Sequence, residues 1–254
     1  MADPESSPRS EQGRTVVLVH GAWHGAWCWD RWLEPLTTAG YRVRTLDLPG
    51  HGDPGARRLW TSLRSSVDAL EAVVDGLESD VTLVGHSMGG LVVQRLLERR
   101  SVAGAVLLAS VPRRGVTGTT VRQLRRHPLR TLRAIVTLDL WPLVNSPERT
   151  RELFFTDSSS EETVARTAAR LQNESFLAYL SMMVRWPRSA RVTTPVRVVA
   201  AGRDAVFSLA EQKGLAAAYG TDLVVVPEAG HDLMLDDTAA ETAGVVARLI
   251  ATFP

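Results

Sequence analysis

A chain of 254 residues with 44% hydrophobic content is long enough to bury a full-sized core, and α/β sheets of this size commonly form a single domain. Its 29 basic and 28 acidic residues leave a formal net charge of +1, too little positive field for non-specific nucleic-acid binding, so no nucleic-acid partner is expected. The single cysteine, Cys28, rules out an internal disulfide and a cysteine-based metal cluster, and Lys213 is the sole lysine open to Schiff-base chemistry.

Residues 1–13 are rich in Ser, Pro and Glu and lack the apolar stretch of a secretory signal, which predicts a disordered tail. No run of about 18 apolar residues occurs, so no membrane span is expected and a cytoplasmic location is the default. Short apolar runs at 16–19, 43–46, 81–84, 105–108, 196–200 and 223–226 read as strands buried on both faces. Helical spacing of apolar residues marks 65–77, 90–99, 209–219 and 239–252. That alternation predicts an α/β fold with a mostly parallel sheet flanked by helices. From 111 to 191 no convincing strand occurs, and helical patterns are punctuated by Pro128, Pro142, Pro147 and Pro187. The expected organisation is a core over 14–110 and 192–254 carrying a helical cap over 111–191.

Within that frame, Gly85-His86-Ser87-Met88-Gly89 follows a strand pattern and precedes a helix pattern, the context in which G-x-S-x-G forms a nucleophile elbow. The sharp turn exposes the serine and needs small residues two positions to either side. A serine hydroxyl is a weak nucleophile near neutrality and needs a base oriented by an acid. Asp204 follows the strand at 196–200 and His231 follows the strand at 223–226, so both belong to the sheet edge that carries Ser87. Asp222 opens a strand at the opposite edge, and Asp232, Asp236 and Asp237 stand too near His231 in the chain. His20, His24 and His51 precede the serine, His127 lies in the cap, and His86 sits beside the serine, where packing is its expected role. His51, in Leu48-Pro49-Gly50-His51-Gly52, reads as a turn histidine. Acyl transfer also needs N–H donors for the developing oxyanion, assigned to the backbone of Met88 and of Ala22 after the first strand. The chemistry calls for no metal and no cofactor.

With these residues in place the chain resembles the α/β-hydrolase superfamily, and within it the compact plant methylesterase and hydroxynitrile-lyase group with related bacterial serine hydrolases. The resemblance rests on Leu18-Val19-His20-Gly21-Ala22-Trp23-His24-Gly25-Ala26-Trp27, on the elbow, on the Asp204 loop and on Glu228-Ala229-Gly230-His231-Asp232-Leu233-Met234-Leu235. It does not extend through the cap. The lyases of that group carry a lysine directly after the triad histidine, where this chain has Asp232, which speaks against cyanide release. Relatives with an aspartate nucleophile are excluded by Ser87. The resemblance implies hydrolysis of a carboxylic ester or thioester through an acyl-enzyme. Alternatives on the same scaffold are a thioesterase or acyltransferase for carrier-bound acyl groups, a histidine-based lyase, a cofactor-free oxygenase, and a catalytically silent binding protein.

In the cap, Arg113, Arg114, Arg122, Arg125, Arg126, Arg130 and Arg133 occur with no acidic residue between the first and last. Val121, Leu124, Leu129 and Leu132 recur between them at helical spacing, so the apolar side is expected to pack down beneath a basic face. That face reads as a solvated surface or as a docking site for an acidic carrier protein. Trp141, Met182, Met183 and Trp186 are candidates for an apolar acyl pocket, with Trp23 beside the serine. Trp27, Trp29 and Trp32 read as core.

Overall fold

Six runs of β-branched and small apolar residues build one sheet in a computed structural model that describes residues 13–52, 61–77, 80–184 and 186–254. The expected N-terminal tail therefore lies almost wholly outside the described residues. The strands are β1 (Thr15–Val19), β2 (Arg42–Leu46), β3 (Val81–His86), β4 (Gly104–Leu108), β5 (Val196–Ala201) and β6 (Leu223–Val226). They pair in the order β2-β1-β3-β4-β5-β6, every neighbouring pair parallel. Successive side chains of a strand point to opposite faces, and here they feed two separate cores. Val16, Leu18, Val84, Val106, Leu108 and Val199 face one, while Val17, Val19, Leu83, Ala105, Leu107 and Val198 face the other.

Helices α1 (Asp30–Thr38) and α10 (Ala239–Ile250) pack together over the first core, bringing Trp32, Leu36, Val246 and Ile250 onto it. Trp29, just before α1, meets Trp32 edge to face, with ring centroids 5.1 Å apart. Helices α2 (Leu63–Asp75), α3 (Met88–Leu97) and α9 (Leu209–Ala218) cover the second core. Reciprocal capping boxes open α2 (Ser62 with Ser65) and α9 (Ser208 with Glu211), satisfying N–H groups that a helix start otherwise leaves unpaired. One helix adds to the expected set, and one expectation needs correction. Helix α1 was not anticipated, because Pro35 interrupts its pattern. The outer strands are not buried on both faces either: β2 is exposed or half-buried along its length and β6 is buried only at Val226, since an edge strand lacks a neighbour on one side.

Between β4 and β5 the chain forms α4 (Thr117–Arg126), α5 (Pro128–Thr137), α6 (Pro147–Phe154), α7 (Glu161–Arg170) and α8 (Phe176–Val184). The expected inward packing of the apolar side of the arginine-rich pair is not observed, although Arg125, Arg126 and Arg133 do face outward. Val121, Leu124, Leu129 and Leu132 are 43%, 41%, 85% and 53% exposed. It is the polar side of α4 that turns inward. Arg122 donates to the Val206 carbonyl and to Glu211, Thr119 donates to the Val206 carbonyl, and Thr120 pairs with Tyr179. Acceptors on the body of the molecule therefore outweigh the amphipathic pattern of the helix. Arg126 and Arg130 are drawn to Glu152 of α6. Among the described residues no helix is long and apolar enough to cross a membrane.

This exposure predicts that Leu129→Glu changes unfolding free energy by less than about 0.5 kcal/mol, as for exposed positions generally. Ala134→Glu, which forces a charge into a buried site of the same helix, should cost at least about 2 kcal/mol. Urea denaturation of both variants checks the pair.

Candidate active site

In a sheet of this order the connection after β1 runs toward one edge and the connection after β3 toward the other, which opens a crevice outside their carboxyl ends. Gly21 enters it from β1 and Ser87 from β3. A Cβ on Gly21 would lie 3.0 Å from the Ser87 Cβ and 2.8 Å from the His86 ring, so only glycine allows the two loops to touch.

Ser87 is held at φ 51° and ψ −116°, a backbone conformation that costs a non-glycine residue about 1–3 kcal/mol. The surrounding chain enforces it. The Ser87 N–H donates to the Leu108 carbonyl (3.1 Å), and the Ser87 carbonyl accepts from the N–H groups of Leu91 (3.3 Å) and Val111 (3.1 Å). Behind the turn α3 lies so close to β1 that a Cβ on Gly89 would stand 2.4 Å from the carbonyl oxygens of Val19 and His20.

The side chains of Ser87, His231 and Asp204 form one hydrogen-bonded line. Asp204 Oδ1 accepts from the N–H groups of Val206 (2.7 Å) and Phe207 (2.9 Å), which fixes the carboxylate. Its Oδ2 faces His231 Nδ1 at 2.9 Å, and His231 Nε2 faces Ser87 Oγ at 3.0 Å. A carboxylate only accepts, so Nδ1 carries the proton in the neutral ring and Nε2 is left to accept from the hydroxyl. Burial by itself would lower the His231 pKa. The charge and hydrogen bond of Asp204, joined by the charge of Asp232, outweigh it and raise the pKa above the ordinary value.

Ala22 and Met88 are both buried, and neither backbone N–H has an acceptor among the described residues. His86 is buried behind His231 and donates from Nε2 to the His231 carbonyl (3.0 Å). Burial drives its pKa well down, so it is a neutral packing group that braces the loop. Ring nitrogens of His86 and His231 and an Asp232 oxygen lie within 4.8 Å of one another. Hydrogen bonds already occupy both His231 nitrogens and His86 Nε2, which describes a proton-bonded network more than a ligand set. Asp232 itself turns to His24, with Oδ2 at 2.9 Å from His24 Nε2.

Of the expected pocket residues, Trp23 packs against both cores and meets Phe154, with ring centroids 5.9 Å apart. Trp141 and Met183 are half-buried, each against a different core. Trp186 is a correction. It is 51% exposed in an outer cleft with Arg113, Arg114, Val184, Pro187 and Arg188, and its indole N–H bonds back to the Met183 carbonyl. Helix α8 ends at Val184, before the chain could carry this indole inward. Two residues absent from the sequence-based site surround His231. Phe207 meets its ring at 5.4 Å and Phe154 lies nearly parallel to it at 6.0 Å. Phe207 was within reach as the third residue after Asp204, whereas Phe154 arrives from α6 and carried no motif.

Known proteins of similar sequence include esterases. A probable esterase, PIR7A, from Oryza sativa subsp. indica is 39% identical over 124 residues, 45% of this chain and 46% of that protein. A methyl jasmonate esterase from Vitis vinifera is 42% identical over 91 residues, 34% of each chain. The matched stretch thus spans less than half the length of these relatives. The crystal structure of a methylesterase from Arabidopsis superposes with a TM-score of 0.72 at 20% identity, covering 93% of this chain and 98% of the other, a likeness of fold. The alpha/beta hydrolase family matches residues 16–245, and the chain belongs to that family.

Proposed function

We propose that this protein hydrolyses carboxylic esters through an acyl-enzyme on Ser87. The observation that carries the reading is the unbroken line from Asp204 through His231 to the Ser87 hydroxyl. As Ser87 Oγ attacks the ester carbonyl, His231 Nε2 takes the hydroxyl proton and Asp204 stabilises the resulting imidazolium. The negative oxygen of the tetrahedral adduct is held by the N–H groups of Ala22 and Met88, each such donor contributing about 2.7–4 kcal/mol. His231 then protonates the departing alkoxide, and the alcohol leaves. It next deprotonates a water that attacks the acyl carbon, and returns that proton to Ser87 as the carboxylic acid departs. The aromatic rings of Phe154 and Phe207 beside His231, with Trp23 against Phe154, favour an apolar acyl group, and the name of a relative points to methyl esters as the first substrates to try. The residue directly after His231 is Asp232, a buried carboxylate turned to His24, and a negative side chain at that position argues against a lyase that must receive a departing anion there.

A carrier-bound acyl group is a second reading, favoured by Arg113 and Arg114. Both line surface clefts next to the loop that follows β4, and neither forms an ion pair among the described residues. On this reading, hydrolysis of acyl groups on an acidic carrier falls steeply between 50 and 200 mM salt, roughly the range over which surface charge is screened. Hydrolysis of free p-nitrophenyl esters stays constant.

For the main reading, intact-mass analysis after fluorophosphonate treatment should show one adduct, mapped to Ser87. Ser87→Ala should lower ester hydrolysis by about 10⁴-fold or more, whereas a rate that survives the substitution would mean histidine-driven chemistry without a covalent intermediate. Because only the neutral imidazole acts as base, kcat/KM should rise with pH along a limb centred above 6.5, the ordinary histidine value. Asp204→Asn removes the charge that raises the pKa, so the limb should move to lower pH while the rate falls about 10⁴-fold.

A further inference from the structure

The loop from His20 to His24 is gripped at two successive peptide units. In the Gly21–Ala22 unit the carbonyl of Gly21 accepts from His20 Nδ1 (2.8 Å), while His20 Nε2 accepts from the Leu48 N–H (2.9 Å). Burial drives the His20 pKa well down, consistent with a neutral ring in that single tautomer. The other end of the same unit is the Ala22 N–H. In the Ala22–Trp23 unit the carbonyl accepts from His24 Nδ1 (2.8 Å), and the N–H of Trp23 donates to Glu174 Oε2 (3.2 Å). Each of these clamps has a second partner: His24 meets Asp232, and Glu174 meets His51 Nε2 at 3.1 Å.

Trp23 needs such a hold. Its φ of 64° lies in the left-handed region, which a bulky side chain rarely enters without external constraint. The constraint comes from the stretch before α8, where the N–H of Gln172 donates to the Trp23 carbonyl (2.8 Å) and Glu174 follows two residues later. That stretch is itself tied to the core, through Ser175 Oγ to the Thr61 carbonyl (2.7 Å) and from the Gly52 N–H to Gln172 Oε1 (3.1 Å). Glu174 and His51 are both buried. A carboxylate in that position carries a desolvation cost that an apolar residue of similar volume would avoid, so stability by itself is a poor reason for it.

We propose that Glu174, supplied by the helical interval between β4 and β5, is a positioning residue that holds Trp23 in its left-handed conformation and thereby aims the Ala22 N–H at the oxyanion. The inference rests on Ser87 acting as the nucleophile. It makes the oxyanion hole a composite of two parts of the chain: the donors belong to the loop after β1 and to the start of α3, and the aim of one of them is set from the interval between β4 and β5. His51 then serves as the partner that keeps the Glu174 carboxylate in place, a larger role than that of a turn histidine.

The test compares Glu174→Ala, Glu174→Gln and Glu174→Asp in the full-length protein, using p-nitrophenyl butyrate turnover and the affinity for phenylboronic acid, which forms a tetrahedral adduct on the serine. A misplaced donor costs roughly 10- to 100-fold. Glu174→Ala should lose that factor in kcat and in boronate affinity with KM within about twofold. Glu174→Gln, whose amide oxygen still accepts from the Trp23 N–H, should stay within about threefold of wild type. Wild-type kcat and boronate affinity in Glu174→Ala would overturn the proposal, whatever the change in Tm. So would a Glu174→Gln variant as impaired as Glu174→Ala, since the charge beside His51 would then be the cause. If Glu174→Ala does not fold, Glu174→Asp decides by the same comparison, because its carboxylate is withdrawn by one methylene from the Trp23 N–H. Fluorophosphonate labelling of Ser87 in the wild-type protein separates the two levels: absence of labelling sinks the acyl-enzyme reading, whereas labelling with an unimpaired Glu174→Ala sinks only the role of Glu174.

Discussion

A parallel sheet delivers the carboxyl end of every strand to the same edge, and everything at the candidate site depends on that constraint. Four of the six strands contribute: β1 brings Gly21 and Ala22, β3 brings Ser87, β5 brings Asp204 and β6 brings His231. Residues separated by more than a hundred positions come within hydrogen-bond reach because the strands between them are in register. The pairing of Val19 with Gly85 and of Ala201 with Val226 levels the ends from which these loops spring. A slip of one residue in either pair would turn each side chain of the slipped strand to the opposite face and shorten one loop relative to its neighbour.

The same edge collects polar groups that would be costly elsewhere. His20, His24, His51, His86 and His231 are all buried, and each has a specific acceptor or acid facing it. Their roles differ through their partners. His86 is kept neutral by burial and braces a carbonyl, whereas His231 faces a carboxylate whose charge outweighs burial and raises its pKa. Similar side chains in one small volume are thereby divided into two kinds: His20 and His86 are kept neutral by burial, while His231 and His51 each face a carboxylate that raises the pKa. The strained backbone at Ser87 and Trp23 is sustained by this packing, at a cost of about 1–3 kcal/mol for each residue.

Much of this was legible in the chain. The six strands, the elbow and the Ser, Asp, His order are short-range patterns: a strand declares itself by a run of β-branched residues, and a loop residue by its distance from the end of that run. The exposed apolar side of α4 and α5 was not legible, because helical spacing reports that a helix has two unlike faces without saying which one meets the body. Acceptors at Val206 and Glu211 made that choice, and they lie more than 80 residues away. Trp186 was misplaced for a related reason, since composition marks an indole as pocket material but the end of α8 decides where it points.

The sequence by itself determined the α/β architecture, the sharp strand-to-helix turn at Ser87 and the three polar side chains of the hydrogen-bonded line, because each is marked by a short local pattern: a run of β-branched residues, or a loop residue just after one. Only the tertiary structure decided which faces of the inserted helices turn inward, that Phe154 and Phe207 enclose His231, and that Glu174 reaches Trp23 from the far side of the chain. Those contacts arise between segments with no fixed spacing, where hydrogen-bond partners and available volume select the arrangement and local propensity is silent.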